Sequence, residues 1–148
     1  MRILGIDSAV KVGWCVGPEP RSWGTWSLPP KVNNGRRLLE YSIWLNRMIL
    51  QHGPDTFIIE TPIMGGHRAN VAATKLLFGL YAVAQILAAK HSLRFLETYP
   101  ISLKKWFTGS GKAQKPQMIA ECRRRGWDVT DDNAADALAL VAFAESQI

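Results

Sequence analysis

The sequence contains few cysteines and fewer acidic than basic residues. Its two cysteines, Cys15 and Cys122, are far apart and outside any CxxC spacing, which excludes a disulfide framework and a zinc ribbon. Unpaired thiols fit a reducing compartment, so we expect a cytoplasmic protein. The 18 Lys and Arg against 12 Asp and Glu leave a formal net charge of +6, which favours a polyanionic partner without identifying it.

Acidic residues are especially scarce between Lys90 and Arg125. In this stretch the only acids are Glu97 and Glu121, whereas half of the basic residues of the chain lie there. They are Lys90, Arg94, Lys104, Lys105, Lys112, Lys115, Arg123, Arg124 and Arg125. A local excess of Lys and Arg of this kind is typical of a surface that contacts nucleic acid.

The chain has one long apolar run, and its start does not resemble a secretory signal. We expect no such signal because Asp7 interrupts the apolar residues that precede it. The run from Ala69 to Ala89 is long enough to be considered as a membrane span. However, polar side chains interrupt it at Asn70, Thr74, Lys75 and Gln85. We therefore expect a helix that is buried or faces a second subunit, and no contact with a membrane.

The spacing of the apolar residues predicts an α/β fold in one domain, residues 1–148. Short connections join the first three strands, which predicts an antiparallel meander, and the later strands alternate with helices. The expected result is a mixed five-stranded sheet, its first three strands antiparallel, with helices on both faces. The predicted strands are Arg2–Asp7, Val12–Gly17, Arg21–Leu28, Thr56–Thr61 and Leu93–Thr98. The predicted helices are Arg36–Gln51, 69–91, Pro100–Phe107, Gln114–Arg125 and one that begins around Asp131–Asn133.

Two carboxylates stand at the ends of otherwise apolar strands. Asp7 ends the first predicted strand, and Glu60 lies at the end of the fourth. If these two strands are parallel neighbours, both side chains emerge at the same edge of the sheet. This arrangement would bring them within reach of one cation.

Further acids open the last predicted helix. Asp136 lies three or four residues after Asn133 and Asp132, so it shares a helix face with one of them. For Asp131 and Asp132 simple capping of the helix remains an alternative, since carboxylates are favoured at a helix N-terminus. Asp136 is harder to explain in this way because small apolar residues surround it in the sequence.

This set of side chains predicts a site for a hard divalent cation. Oxygen ligands without a His or Cys pair favour Mg²⁺ or Mn²⁺. Two such ions can activate a water molecule and stabilise the leaving oxygen in phosphodiester hydrolysis. We therefore expect two ions, a catalytic site at the carboxylates and a substrate backbone held by the basic stretch.

Four short motifs together resemble a known family of nucleases. They are Gly5-Ile6-Asp7, Val12-Gly13-Trp14, Ile58-Ile59-Glu60 and the run from Ala134 to Ala139, and they span nearly the whole chain. In this order and at this length they are similar to the RuvC-type Holliday junction resolvases. The resemblance implies a ribonuclease H-like fold and a homodimer that makes paired nicks in a four-way DNA junction. It implies a bacterial cell or a phage-infected host as the setting.

The resemblance also implies roles for individual residues. The metal-binding acids of the family fall on Asp7, Glu60 and Asp136. Its fourth ligand falls on Asn133, which is a departure, and Asp132 is the alternative source of that ligand. The run Asp131-Asp132-Asn133 looks like that of phage-type members.

Several residues would contact DNA if the resemblance holds. Lys115 falls on a lysine of the family's active site and Lys104 on another, and a solvated basic helix face is the alternative explanation. Lys105 and Lys112 flank them. An aromatic residue that the family carries after the strand glutamate is replaced here by Ile63, with Met64 beside it, which puts junction selectivity in question. Arg68, next to His67, could reach phosphate, and Trp106 is the best tryptophan for base stacking.

The sequence leaves other functions open. A nuclease of the same fold that acts on other branched DNA or on RNA would carry the same residues. A DNA-binding relative without activity would keep the basic stretch but would not need the acids. Actin-like ATPases and sugar kinases share the Gly-Ile-Asp opening, but they need two such domains to enclose a nucleotide.

Overall fold

The computed structural model describes residues 1–63 and 70–148, so Met64 and Arg68 of the predicted DNA-contacting residues lie outside the described residues. The strands are β1 (Ile3–Asp7), β2 (Lys11–Gly17), β3 (Ser22–Ser27), β4 (Thr56–Glu60) and β5 (Arg94–Thr98). The helices are α1 (Asn34–His52), α2 (Val71–Lys90), α3 (Pro100–Thr108), α4 (Lys115–Arg124) and α5 (Asp132–Gln147).

The five strands form one mixed sheet in the order β3-β2-β1-β4-β5. Strands β1, β2 and β3 pair antiparallel, because their connections are too short for a crossover. Helix α1 then carries the chain back, so β4 lies parallel to β1, and β5 lies parallel to β4. Both the predicted sheet and the predicted neighbourhood of the first and fourth strands are confirmed.

The sheet has a hydrophobic core on each face. Along β1, Leu4 and Ile6 pack toward the side that carries α1 and α2, whereas Ile3 belongs to the core on the side of α3, α4 and α5. Because β1 is covered on both faces, all of its residues are buried. The sequence of a strand that is buried on both faces is a continuous apolar run, without alternation of apolar and polar residues.

Local capping explains where the main helices begin and end. The Asn33 side chain accepts a hydrogen bond from the Arg36 N–H at the start of α1, and Gly53 ends this helix with a left-handed φ of 58°. Pro100 occupies the first turn of α3, as the sequence predicts. At the start of α5, the Asp131 side chain accepts hydrogen bonds from the N–H groups of Asn133 and Ala134.

Helix α2 is apolar on two sides but packed on only one. It is the one helix of the described residues that is long and apolar enough to cross a membrane, with a mean hydropathy of 1.7 over its best 18-residue window. Only 28% of that window is buried. The inner side packs on the sheet and on α1 through Leu76, Leu80, Ala84 and Leu87. The outer side exposes Val71, Phe78 and Ile86.

Candidate active site

The sheet brings two carboxylates to one edge. Asp7 is the last residue of β1 and Glu60 is the last residue of β4, and the pairing of Ile6 with Ile59 places the two strand ends side by side. Asp136 approaches the same edge from the second turn of α5, which packs across β1 and β2. The predicted convergence of these three side chains is therefore present in the fold.

The carboxylates are close enough to perturb one another. Burial raises the pKa of Asp7 well above its usual value, and the negative charges of Asp136, Glu60 and Asp132 raise it further. Burial and then Asp136 raise the pKa of Glu60 to about 7. Burial and then Asp132 raise the pKa of Asp136 to about 6. In the metal-free protein each of these carboxyl groups therefore keeps its proton to a higher pH than usual.

Two of the predicted lysines lie beside this cluster. Lys104 lowers the pKa of both Glu60 and Asp136 against the effect of burial, which places its ammonium group near both carboxylates. The Lys115 Nζ lies 3.3 Å from Asp132 Oδ2. Lys105 and Lys112, also predicted to contact DNA, are exposed on α3 and on the following loop.

The two adjacent acids at the start of α5 have different surroundings. Asp131 caps the helix and also forms an ion pair with Lys11. Burial alone would raise the pKa of Asp131, but the hydrogen bonds from Lys11 and from the Ala134 N–H outweigh it, so this pKa is lowered. Asp132 instead pairs with Lys115 and adds its charge to the carboxylate cluster. Of the two acids, Asp131 thus serves as the cap and Asp132 faces the site.

A glycine on β2 determines how closely α5 approaches the carboxylates. A Cβ atom on Gly13 would lie 2.0 Å from the Asn133 carbonyl oxygen and 2.3 Å from the Asn133 carbonyl carbon. Two further glycines continue this contact along β1 and β2, because a Cβ on Gly5 or Gly17 would lie 2.7 Å from a methyl group of Val141. In the sequence, Gly13 stands out only as part of the Val12-Gly13-Trp14 motif. A glycine in the middle of a strand indicates that another stretch of backbone comes close to it, and this signal could have predicted the contact with α5.

Two other residues that the sequence predicts to contact DNA, Ile63 and Trp106, lie at the protein surface. Ile63 is exposed and lines a small cavity together with Glu60 and Tyr81. Trp106 packs edge to face on Phe143 at a centroid distance of 5.4 Å, and it is 37% exposed. Stacking of a base on Trp106 therefore stays a prediction.

The donor set of the site suits a hard cation. All of its acidic donors are carboxylates, and such oxygens are the ligands that Mg²⁺ and Mn²⁺ prefer. A divalent ion would also offset the burial and the neighbouring negative charges that raise the pKa of Asp7. Within residues 1–63 and 70–148, however, no three His, Cys, Asp or Glu side chains are gathered closely enough to enclose an ion. Side-chain rotation of the clustered carboxylates would have to complete the coordination.

The raised pKa values predict how the stability of the metal-free protein depends on pH. Unfolded chains release the protons of Glu60 and Asp136 near their ordinary values of 4.5 and 3.8, whereas the folded protein retains them to about 7 and about 6. The unfolded state therefore binds fewer protons in this window, and the free energy of unfolding should fall as pH rises from about 4 to about 7.

Thermal denaturation in EDTA between pH 5.5 and 7.5 measures this effect. The Glu60→Gln and Asp136→Asn variants should show a weaker pH dependence than the wild type, because they have no proton to lose at the substituted position. The lowered pKa of Asp131 acts in the opposite direction, but its contribution is complete below this range. An equal slope in wild type and in both variants would contradict the raised pKa values.

Comparison with known proteins identifies the family. The family model described as crossover junction endodeoxyribonuclease RuvC matches residues 29–144. The protein of that name from Akkermansia muciniphila is 32% identical over 95% of this chain and 87% of its own length. The one from Rickettsia prowazekii is 30% identical over 95% of this chain and 94% of its own length.

Solved structures show the same fold. Thermus thermophilus RuvC in complex with Holliday junction substrate superposes with a TM-score of 0.78 at 18% identity, over 99% of this chain and 96% of that one. The yeast mitochondrial Holliday junction resolvase Ydc2 gives a TM-score of 0.64 at 17% identity, over 95% and 75% of the two chains. The chain therefore belongs to the RuvC family of crossover junction endodeoxyribonucleases and has their ribonuclease H-like fold.

Proposed function

We propose that this chain is a structure-selective endonuclease that resolves Holliday junctions by paired phosphodiester cleavage. The observation that carries the proposal is the cluster of Asp7, Glu60 and Asp136 at one edge of the sheet, in a chain of this family. Family membership favours it over the ATPase and sugar kinase alternatives. The presence of all three core carboxylates favours it over a DNA-binding relative without activity.

The family depends on divalent metal, and we propose Mg²⁺ or Mn²⁺ as the metal and two as the number of ions. Asp7, Glu60 and Asp136 would hold them, with Asp132 or Asn133 as the fourth ligand. When bound, such ions supply an activated water molecule and stabilise the leaving oxygen. The mutual repulsion of the carboxylates supports this assignment, because a dication converts that repulsion into attraction.

The lysines of the site would act on the phosphate itself. Because Lys115 lies next to Asp132, its ammonium group would also reach an oxygen of a phosphate held at the site. Lys104, close to Glu60 and Asp136, would neutralise part of the negative charge of these two carboxylates. Positive charges at these positions would stabilise the negative charge that develops on the phosphate in the transition state. Both lysines are proposed to act in catalysis, and Lys115 with the greater effect.

DNA binding would extend over the surface around the site. Lys105 and Lys112 are exposed near the two catalytic lysines, and Ile63 is exposed beside Glu60. Met64 and Arg68 belong to the same proposal from the sequence alone. The basic side chains would contact backbone phosphates, so affinity should decrease steeply with salt.

We further propose a homodimer formed through α2 and a cytoplasmic location. The exposed apolar side of α2, with Val71, Phe78 and Ile86, supports a second subunit as its cover. Two copies would also place two active sites on one junction, as paired cleavage requires. Sedimentation at micromolar concentration measures the assembly, and a monomer there would contradict it.

A cleavage assay tests the proposed function. A four-way junction, a duplex, a flap and an RNA–DNA hybrid of matched sequence are each incubated with the protein and a titration of Mg²⁺ or Mn²⁺. Symmetrical nicks in the junction, dependent on the metal, are expected. Preferential cleavage of the flap or of the hybrid would instead favour the alternative nuclease functions. Absence of cleavage in every substrate would refute the proposal.

Comparison of two variants at the start of α5 should identify the fourth ligand. We expect Asp132→Ala to lose more activity than Asn133→Ala, because Asp132 adds its charge to the pKa of Asp7 and Asp136. The measurement is the single-turnover cleavage rate as a function of metal concentration, where a lost ligand raises the concentration needed. Equal and wild-type behaviour of both variants would show that neither residue coordinates metal.

A further inference from the structure

A groove along α4 begins at Asp132 and Lys115 and contains an arginine that the site described above does not use. It has a volume of about 430 Å³. Its lining residues are Lys115, Pro116, Ile119, Ala120, Arg123 and Asp132. Since Asp132 and Lys115 belong to the proposed active site, the groove is a continuation of that site along the surface.

Arg123 lies on the same side of α4 as Lys115. Lys115, Ile119 and Arg123 are spaced by four residues, which places them in a row on one face of the helix. Lys115 and Arg123 are eight positions apart, which corresponds to about 12 Å along the helix axis. Successive phosphates of one DNA strand lie about twice as far apart in space as the axial rise of about 3.4 Å per nucleotide, so the two cations match phosphates about two nucleotides apart.

The Arg123 side chain is held in place while most of its donors stay available. Its Nε donates a hydrogen bond to the Val129 carbonyl at 3.1 Å. Within the two described ranges it forms no ion pair, in contrast to its neighbour Arg124, which binds both carboxylate oxygens of Glu121. Arginine oriented in this way presents the remaining N–H groups as a planar fork that fits a phosphate.

We propose that Arg123 binds a backbone phosphate of the cleaved DNA strand, about two nucleotides from the phosphate contacted by Lys115. The inference rests on the proposed nuclease function and adds a second phosphate position to it. A DNA strand fits this groove because the groove carries two cations in register and starts at the site where the strand would be cut. Binding there would set which phosphate of the strand reaches the carboxylates.

Removal of single phosphate charges from the substrate tests the proposal. Junctions that carry one uncharged methylphosphonate at successive positions of the cleaved strand are bound in EDTA by wild type, Arg123→Gln and Arg124→Gln. At one position, about two nucleotides from the cut, neutralisation should weaken binding by wild type and by Arg124→Gln roughly tenfold. Arg123→Gln should show no such loss at that position, because this variant already lacks the arginine that would bind the phosphate.

Arg123 could instead act only by holding the Val129 carbonyl in place. The salt dependence of binding and a conservative variant distinguish phosphate binding from this structural role. Arg123→Gln should reduce the slope of log affinity against log salt by about 0.9, and Arg123→Lys should restore most of that slope because it keeps the charge. If the methylphosphonate penalties of Arg123→Gln equal those of wild type at every position, the proposal is overturned. A wild type that fails to bind the unmodified junction overturns both this inference and the proposed function.

Discussion

Replacement of Asp7 by Asn should abolish cleavage of a four-way junction while binding of the junction remains. Asp7 is the most buried acid of the cluster, and four other carboxylates raise its pKa together with burial. Asparagine has nearly the same shape but cannot offer a charged oxygen to a metal. Metal stabilisation of the transition state is worth several kcal/mol, so the rate should fall on the order of 10³-fold.

Binding should persist because exposed lysines, not Asp7, supply the contacts with phosphate. Removal of one buried negative charge should also raise the melting temperature of the metal-free protein, which excludes unfolding as the cause of lost activity. The matched control is Asp128→Asn, since Asp128 is exposed and lies outside the cluster. Rates come from single-turnover cleavage and affinities from gel shift in EDTA. A fully active Asp7→Asn protein would refute the proposed site.

Substitution of Gly13 by Ala should disable the protein by a different route. The new Cβ would lie 2.0 Å from the Asn133 carbonyl oxygen and 2.9 Å from the Ala134 backbone nitrogen. These are backbone atoms, so no side-chain rotation can remove the clash, and the N-terminus of α5 must move away from β2. We expect a loss of stability of about 1–3 kcal/mol or more.

The same displacement would carry Asp132 and Asp136 away from Asp7 and Glu60. A shift of about 1 Å in a catalytic group costs roughly 10²-fold in rate, so cleavage should fall at least that far even where the variant is still folded. Melting temperature and single-turnover rate measure the two effects separately.

Gly35→Ala is the matched control for this experiment. Gly35 lies in the first turn of α1, and its nearest neighbour to a new Cβ would be the Asn33 Oδ1 at 3.4 Å. Alanine is favoured over glycine in a helix by up to about 1 kcal/mol, so stability should be unchanged or slightly higher, and activity should be unchanged. If Gly13→Ala behaved like Gly35→Ala, the described contact between α5 and β2 would be wrong.

The elements of the fold were predictable because their signals are local. Proline, glycine and asparagine mark the ends of helices through their own backbone preferences, as Asn33, Gly53 and Pro100 do here. Apolar periodicity then indicates which stretches form strands and helices. The predicted bounds accordingly agree with the structure to within about two residues at each end of β1, α1 and α3.

The same kind of signal identified the acids of the site but could not divide their roles. Asp131 and Asp132 are chemically identical neighbours in the sequence, and both could cap a helix. Which one turns toward Lys11 and which toward Lys115 depends on where β2 and α4 lie around the start of α5. Those positions arise from contacts between residues about 20 to 120 places apart in the chain, and no local pattern encodes them.

By itself the sequence determined the element order, the excess of positive charge between Lys90 and Arg125, and the presence of acids at two strand ends, because each of these depends on neighbouring residues alone. Only the tertiary structure decided that α5 packs directly on Gly13, that Asp131 rather than Asp132 caps α5, and that Arg123 faces the groove beside the active site. Steric exclusion and charge interaction depend on the distances between residues in space. These distances are fixed only when the two cores pack on opposite faces of the sheet.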